Sequence, residues 1–241
     1  MAKLRATNIE PQSGTNLTLG ASGDAVTFAS TEIKANTVKD AGGNTLWTSD
    51  GSGTLSSINS ALQGGGLTLI TTQTVTSASS QINFSSGIDS TYDEYIFILN
   101  NIDYSTGGAE STVNFSTDAG SSWPDKTTTM IQSYHSETST DTILHYATAE
   151  DRAISAQGQK LENFAGNSQN NCAAGVLHLF QPSSTTSYKQ FYSRFNVKRE
   201  DNYTGDYHMA GYLLTASPIV YVRFEPTAGT VTGIYQMYGV G

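Results

Sequence analysis

The amino-acid sequence predicts an all-β protein in two parts, a thin N-terminal β segment followed by a C-terminal β-sandwich or jelly-roll domain. Short apolar runs alternate with polar residues at the period of two that is typical of strands. Clusters of Gly, Ser, Asn and Asp separate these runs and predict turns. The 241 residues include 13 Tyr and 9 Phe, whereas charged residues make up only 14%. This composition favours strands and turns over helices.

The thin N-terminal segment spans residues 1–52, in which Phe28 and Trp47 are the only aromatic residues. Asn16–Phe28 predicts a small hairpin, because two alternating runs flank the turn at Gly20–Asp24. A hairpin of this size is not stable alone in water. Disorder is one interpretation, since there is little apolar surface to bury. The strict alternation favours a β shaft shared by several copies of the chain, because unpaired strand edges are a liability.

Residues 53–66 predict a short helix followed by a glycine-rich hinge. Leu55, Ile58 and Leu62 recur at the spacing of one helix face, and Gly64–Gly66 ends the pattern. A helix over Thr54–Leu62 is too short to be stable alone, so it packs either around a symmetry axis or on the next domain. The side chains expected to anchor and trimerise the N-terminal part are Leu17, Leu19, Val26, Phe28, Leu55, Ile58 and Leu62.

Residues 67–241 predict one β domain with strands about every dozen residues, as in sandwiches. Glu94–Tyr104 is apolar on both faces and is expected to be a central strand. The polar stretch Glu150–Asn171 predicts a long loop with a helical turn at Ala149–Ile154. The predicted strands are Leu67–Thr76, Gln81–Phe84, Glu94–Tyr104, Ser111–Thr117, Thr128–His135, Thr142–Ala147, Ala173–Gln181, Lys189–Val197, Tyr207–Thr215, Ile219–Glu225 and Val231–Val240.

Charge and patterning exclude several classes of partner. The net charge is -9, and the 12 Lys and Arg residues are scattered, which argues against nucleic acid and against an anionic membrane surface. No stretch approaches the apolar length of a membrane span. The N-terminus lacks the apolar core of a secretory signal, so we expect a soluble protein made in a cytoplasm. Cys172 is the only cysteine, so no intrachain disulfide is possible.

Signals for catalysis or metal binding are weak, so the sequence predicts neither an enzyme nor a cofactor. Cys172 precedes an apolar run, where cysteine is more often a small buried side chain than a nucleophile. Adjacent carboxylates such as Glu150 and Asp151 point to opposite faces of a strand, so such a pair does not make a glycosidase dyad. The histidines, which lack metal-ligand spacing, are His135, His145, His178 and His208.

Polar loops with aromatic residues are the best candidates for binding a receptor. Exposed Tyr and Trp beside Asn and Asp suit sugar or protein surfaces, through stacking and hydrogen bonds. In the alternative, which the usual burial of large aromatics favours, these rings close the ends of the sandwich. The candidate receptor-binding residues are Trp123, Tyr134, His135, Tyr203 and Tyr207.

Leu4–Phe28 (LRATNIEPQSGTNLTLGASGDAVTF) resembles the N-terminal module of virion fibre and appendage proteins of tailed bacteriophages, especially marine ones. Trp47–Gly53 (WTSDGSG) and the closing run Gly233–Val240 are similar in style to the same group. The resemblance implies a homotrimer located in the virion, with the N-terminal part attached to other virion proteins and the C-terminal domain facing outward. Fibres of this group bind host-surface glycans or proteins, and some relatives decorate the capsid instead.

Three hypotheses follow. In the first, the protein is a trimeric short tail fibre or appendage that recognises the host cell surface. In the second, it is a capsid decoration protein that stabilises the phage head. The third, from a different class, is a glycan-degrading enzyme; the absence of regular repeats argues against a β-helical tailspike of that kind.

Overall fold

A computed structural model describes residues 35–40, 42–52, 55–58, 66–163, 165–167 and 170–241. The chain divides into two compact units, Met1–Gln63 and Gly64–Gly241. The described residues form strands, apart from loops and one 3-10 turn at Thr148–Glu150, so the all-β prediction is confirmed. None of the helical structure in these residues is long and apolar enough to span a membrane. The predicted contact residues outside the described ranges are Leu17, Leu19, Val26, Phe28 and Leu62.

The first unit contains an antiparallel sheet of three strands: β1 (Thr37–Lys39), β2 (Thr45–Ser49) and β3 (Leu55–Ile58). The turn between β1 and β2 is closed by the Asp40 carboxylate. It accepts hydrogen bonds from the backbone N–H of Asn44 at 2.8 Å and from the Asn44 side chain at 3.0 Å. Asp and Asn favour turns because they form such local bonds.

The helix predicted over Thr54–Leu62 is wrong for Leu55–Ile58, which is strand β3. Ile58 lies opposite Trp47 of β2, so the neighbouring strand provides partners for the backbone of this segment. A single short helix would gain few hydrogen bonds for the residues that it fixes. The apolar spacing of Leu55 and Ile58 does not by itself distinguish a short helix from a strand.

The second unit contains an eight-stranded and a four-stranded sheet, both antiparallel throughout. Their orders are β4-β15-β6-β11-β12-β13-β8-β9 and β10-β7-β14-β5. The strands are β4 (Leu67–Ser79), β5 (Ile82–Phe84), β6 (Glu94–Tyr104), β7 (Ser111–Ser116), β8 (Lys126–Ser136), β9 (Thr142–Tyr146), β10 (Gln159–Lys160), β11 (Ala173–Phe180), β12 (Lys189–Lys198), β13 (Tyr203–Leu213), β14 (Tyr221–Pro226) and β15 (Val231–Val240).

One aromatic core joins the two sheets. Phe97 of the larger sheet lies 5.1 Å from Phe84 and 5.6 Å from Phe224 of the smaller sheet, measured between ring centroids. Phe115 and Phe191 make a second such contact at 4.8 Å. These edge-on and tilted pairs add to the free energy gained by burying the rings. The architecture is therefore sandwich-like, and the predicted strands within it are confirmed to within a few residues at their ends.

The larger sheet has an inner face, which contributes to this core, and an outer face, which points away from it. On β6 the inner side chains Tyr95, Phe97 and Leu99 are fully buried, whereas Ile96 and Ile98 on the outer face are only partly buried. The prediction of a central strand holds for the position of β6 in the sheet. Its second apolar face, however, is not covered by another layer of the described chain.

The segment between β9 and β11, predicted as a long loop, forms a strap across the smaller sheet. The Asn114 side chain donates a hydrogen bond to the carbonyl of Ala156 at 3.1 Å. A Cβ atom on Gly158 would lie 3.0 Å from Oγ1 of Thr112. All six residues of β7 are consequently buried, with the core on one side and the strap on the other.

Candidate binding face

The outer face of the eight-stranded sheet presents a row of aromatic rings. His178 and Tyr192 are opposite each other on β11 and β12, and their rings stack with centroids 4.4 Å apart and planes 14° apart. Phe180 lies 5.7 Å from Tyr192. Tyr192 remains 42% exposed, so the row offers a ring surface on which a planar or ring-shaped ligand can stack.

The orientation of His178 is fixed by an acidic neighbour. Its Nδ1 lies 2.5 Å from Oε1 of Glu94 on the adjacent strand β6, so the ring N–H donates to the carboxylate. A ring held in this way loses little conformational freedom when a ligand packs against it.

A polar group lies beside the ring row on β12 and β13. The Arg194 guanidinium donates two parallel hydrogen bonds to Asp206, each 3.0 Å long. His208 is also hydrogen-bonded to Asp206, at 3.2 Å. The Arg194 side chain is 64% exposed, so part of its guanidinium group remains accessible to solvent. The hydrogen bonds from Arg194 hold the pKa of Asp206 below its ordinary value, so this carboxylate is ionised at neutral pH.

Amide groups and apolar side chains complete a shallow depression at this position. The Asn196 side chain donates to the Gly205 carbonyl at 2.9 Å and to the Thr204 hydroxyl at 3.2 Å. The depression is lined by Ile98, Asn100, Ala174, Gly175, Val176, Arg194, Asn196 and Asp206. A stacking surface beside fixed hydrogen-bonding groups is chemically suited to binding. Asp206 is held in place by its hydrogen bonds to Arg194 and His208.

Two of the predicted receptor residues, Tyr134 and Tyr203, lie together at one end of the sandwich. Their rings meet edge to face with centroids 5.6 Å apart. The Arg199 guanidinium lies over both, 4.6 Å from the Tyr134 centroid and 5.7 Å from that of Tyr203. Both tyrosines are half-buried. They therefore close the end of the core, as the alternative interpretation of the sequence expects.

His135 and Trp123 lie apart from this cluster. His135 is exposed on the outer face, where it lines a second depression together with Tyr134, Ile143 and Leu144. Trp123 packs at the smaller sheet, where its ring lies 4.2 Å from the Arg223 guanidinium and 6.0 Å from Tyr221. The predicted receptor residues thus do not form one site.

Tyr207 is wrongly predicted as an exposed loop residue. The sequence places it at the start of a strand, but β13 begins at Tyr203, and alternation then directs Tyr207 into the core. Its side chain is fully buried, and its hydroxyl donates to the carbonyl of Asn163 at 3.0 Å. A side chain in this position cannot contact a receptor in the folded domain.

A buried acidic group lies between the sheets. Oε1 of Glu162 accepts hydrogen bonds from the Tyr104 hydroxyl at 2.5 Å and from the Ser111 N–H at 2.6 Å. Burial raises the pKa of Glu162 to about 7. Nearby, the Lys160 ammonium lies 2.8 Å from both Glu110 and Glu150. Glu162 is fully buried, so this group contributes to the interior and does not form an open site.

Sequence reasoning did not single out the residues of the candidate face. The alternation of Phe191, Ser193 and Phe195 with Tyr192 and Arg194 already predicts a half-buried strand. The partners of Tyr192 and Arg194 come from β11 and β13, and strand order cannot be deduced from one sequence. The missing signal was therefore the pairing of the strands.

No group of three or more His, Cys, Asp or Glu side chains that could hold a metal ion occurs among the described residues. No protein-family model, curated protein or solved structure matches the chain.

Proposed function

We propose that the protein is a virion structural protein of a tailed phage, a trimeric short fibre or appendage that recognises the host cell surface. The N-terminal part, residues 1–52, attaches each copy to the particle and contributes to trimerisation. The second unit serves as a jelly-roll tip domain. The resemblance of Leu4–Phe28 to the anchoring modules of such fibres supports the attachment role.

The observation that carries the recognition role is the outer face of the larger sheet. Tyr192 and His178 provide a stacking surface, and Arg194 and Asp206 provide fixed hydrogen-bonding groups beside it. Aromatic and arginine side chains are enriched where interfaces gain most of their binding free energy. This face therefore supports receptor binding.

Capsid decoration is the second candidate, since the sequence of residues 1–66 lacks the long repeated shaft of extended fibres. Imaging of intact particles with a label on the second unit separates the two candidates. Signal at the tail supports the fibre, and signal distributed over the head supports decoration. Signal at neither place contradicts both.

Deletion of residues 1–52 tests the anchoring role. We expect the shortened protein to be absent from purified particles while the second unit remains folded, as circular dichroism would show. Incorporation of the shortened protein at the normal level would contradict the proposed anchor. The mass of the full chain in solution tests the trimer, since one copy is 25.7 kDa and the number of copies in the assembly should be a multiple of three.

A further inference from the structure

The edge strand β9 is exposed along its whole length. All five of its residues, Thr142–Tyr146, are exposed to solvent, and none of them is Asp, Glu, Lys or Arg. Leu144 is 76% exposed, and Ile143 and Tyr146 are 44% and 52% exposed. Natural proteins usually protect such edges with charges, proline or bulges, because an apolar edge strand is a template for pairing.

Hydrogen bonds at the two ends of β9 define which backbone groups face its neighbour β8. The N–H of Ala147 donates to the carbonyl of Met130, and the N–H of Ser136 donates to the carbonyl of Asp141. Hydrogen-bonded pairs alternate along an antiparallel ladder. The backbone groups of Ile143 and His145 therefore point toward β8.

The backbone N–H and C=O groups of Thr142, Leu144 and Tyr146 consequently point away from the sheet. Since β9 is the last strand of the larger sheet, no other strand of the described chain lies beside them. Their side chains share the outer face with Ile131 and Ser133, which are opposite Tyr146 and Leu144 on β8.

We propose that β9 pairs with β9 of a second copy of this chain, antiparallel about a two-fold axis at Leu144. In this register Leu144 is opposite itself, and Thr142 is opposite Tyr146 of the other copy. All outward-pointing backbone groups of the strand then have hydrogen-bonding partners. The eight-stranded sheets of the two copies become one continuous sheet.

The pattern of β9 favours a second copy over an unrelated strand. The outward groups are arranged symmetrically about Leu144, so the strand is its own complement. No acidic or basic side chain is brought opposite a like charge within the paired strands, and like charges directly opposite each other destabilise a ladder. The apolar side chains Leu144, Tyr146 and Ile131 of each copy come together on the outer face.

The opposite edge of the sheet, β4, is a poorer partner for β9. Its pairing with β15 shifts register twice, between Val231 and Gly233 and between Met237 and Tyr238, whereas no shift interrupts the pairing of β9 with β8. Bulges bend and twist a strand and thereby disrupt its use as a template. The regular edge is therefore expected to pair with its own copy.

This two-fold contact is separate from the three-fold association proposed for the N-terminal part. A substitution that removes one contact should therefore leave the other in place. The test is the mass of the full chain in solution, measured by sedimentation at several concentrations for the natural protein and for Leu144→Lys. We expect the substitution to lower the mass at least twofold, to three copies if the trimer forms and to one copy if it does not.

Two matched variants control for the added charge. Ile234→Lys introduces lysine at a 37% exposed position on β15, away from β9, and should leave the mass unchanged. Leu69→Lys places it on the β4 edge and should also leave the mass unchanged. Equal masses for the natural protein and Leu144→Lys overturn the proposal, and a halved mass for Leu69→Lys shows that β4 is used instead.

A covalent readout does not depend on the strength of the association. Directly opposite residues in a hydrogen-bonded antiparallel pair have Cα atoms about 5.5 Å apart, within the range that a disulfide spans. In a Cys172→Ser background, Leu144→Cys should form a dimer linked by one disulfide under mild oxidation. Ile234→Cys in the same background should not. Equal crosslinking of the two variants contradicts the register.

Discussion

His178 and Tyr192 stack across the β11–β12 pair, with ring centroids 4.4 Å apart and planes 14° apart. The stack leaves one side of Tyr192 open to solvent, beside the Arg194–Asp206 pair. A tyrosine that is already immobilised by a neighbouring ring loses little entropy when it binds a ligand. This relationship makes the outer face the most informative place for substitutions.

Tyr192→Ala should weaken binding to host cells without unfolding the domain. The ring is 42% exposed, so we expect a stability change within about 1 kcal/mol. Loss of an interface hot spot should lower the affinity roughly tenfold. The measurement is competition by the purified protein against phage adsorption, with the melting temperature recorded for each variant.

Trp123→Ala is the matched comparison for Tyr192→Ala, since it removes a partly exposed ring at the other sheet. We expect Trp123→Ala to leave competition unchanged. If Trp123→Ala abolishes competition and Tyr192→Ala does not, the receptor binds the smaller sheet and the proposed face is wrong.

Glu162→Gln should change the pH dependence of stability. Burial raises the pKa of Glu162 in the folded protein from 4.5 to about 7. Between these values the folded state binds more protons than the unfolded state, so this group makes stability fall as pH rises. The loss is complete above pH 7 and amounts to roughly 3 kcal/mol. Glutamine has no such titration.

The measurement is the melting temperature of both proteins at pH 5 and pH 8. Glu162→Gln should gain stability relative to the natural protein at the higher pH, by several degrees for a domain of this size. Glu137→Gln is the control, because Glu137 is exposed and its substitution removes a carboxyl group without altering the buried Glu162. A pH-independent difference for Glu162→Gln would show that the carboxyl is not protonated in the fold.

Tyr207→Phe should destabilise the domain without affecting receptor binding. The substitution removes the donor to the Asn163 carbonyl, and a buried acceptor without a partner costs about 1–3 kcal/mol. Thermal unfolding measures this loss. Tyr212→Phe, at a 39% exposed ring, should have a much smaller effect. If the Tyr207→Phe protein competes less well against phage adsorption at a temperature where it is fully folded, the assignment of Tyr207 to the core is contradicted.

Ile154→Asn should stabilise the strap. Ile154 has a positive φ of 51°, a conformation that is strained for a β-branched residue and tolerated by asparagine. Its side chain is 67% exposed, so little burial is lost on substitution. We expect a gain of up to about 1 kcal/mol in the free energy of unfolding. Ala153→Asn, at the preceding exposed position, should give no comparable gain in a denaturant titration.

Much of the second unit could be predicted from the sequence because its strands alternate strictly. Glu94–Tyr104 and Val231–Val240 match β6 and β15 at both ends. β3 was mistaken for a helix because two apolar residues three apart fit either structure, and pairing with β2 decides between them. β10 was not predicted, because a strand of two residues is too short to show the alternation of apolar and polar side chains.

The candidate face was harder to predict than the strands. β11, β12 and β13 follow one another in the chain, but the register of their pairing decides which side chains meet. β6 joins them from far earlier in the sequence, since Glu94 lies 84 residues before its partner His178. Tyr203 and Tyr207 illustrate the same difficulty. Both lie in a polar stretch that resembles a loop, yet complete pairing of β13 with β8 directs them inward.

The strap over β7 determines how this part of the protein opens. β7 lies between β10 and β14 in the smaller sheet, and the strap covers the face that the core does not. The strap also contains β10, so the amide hydrogens that β7 directs toward β10 can exchange with solvent only after the strap has detached. The exchange rate of these amides therefore reports the detachment of a segment that lies more than thirty residues later in the chain.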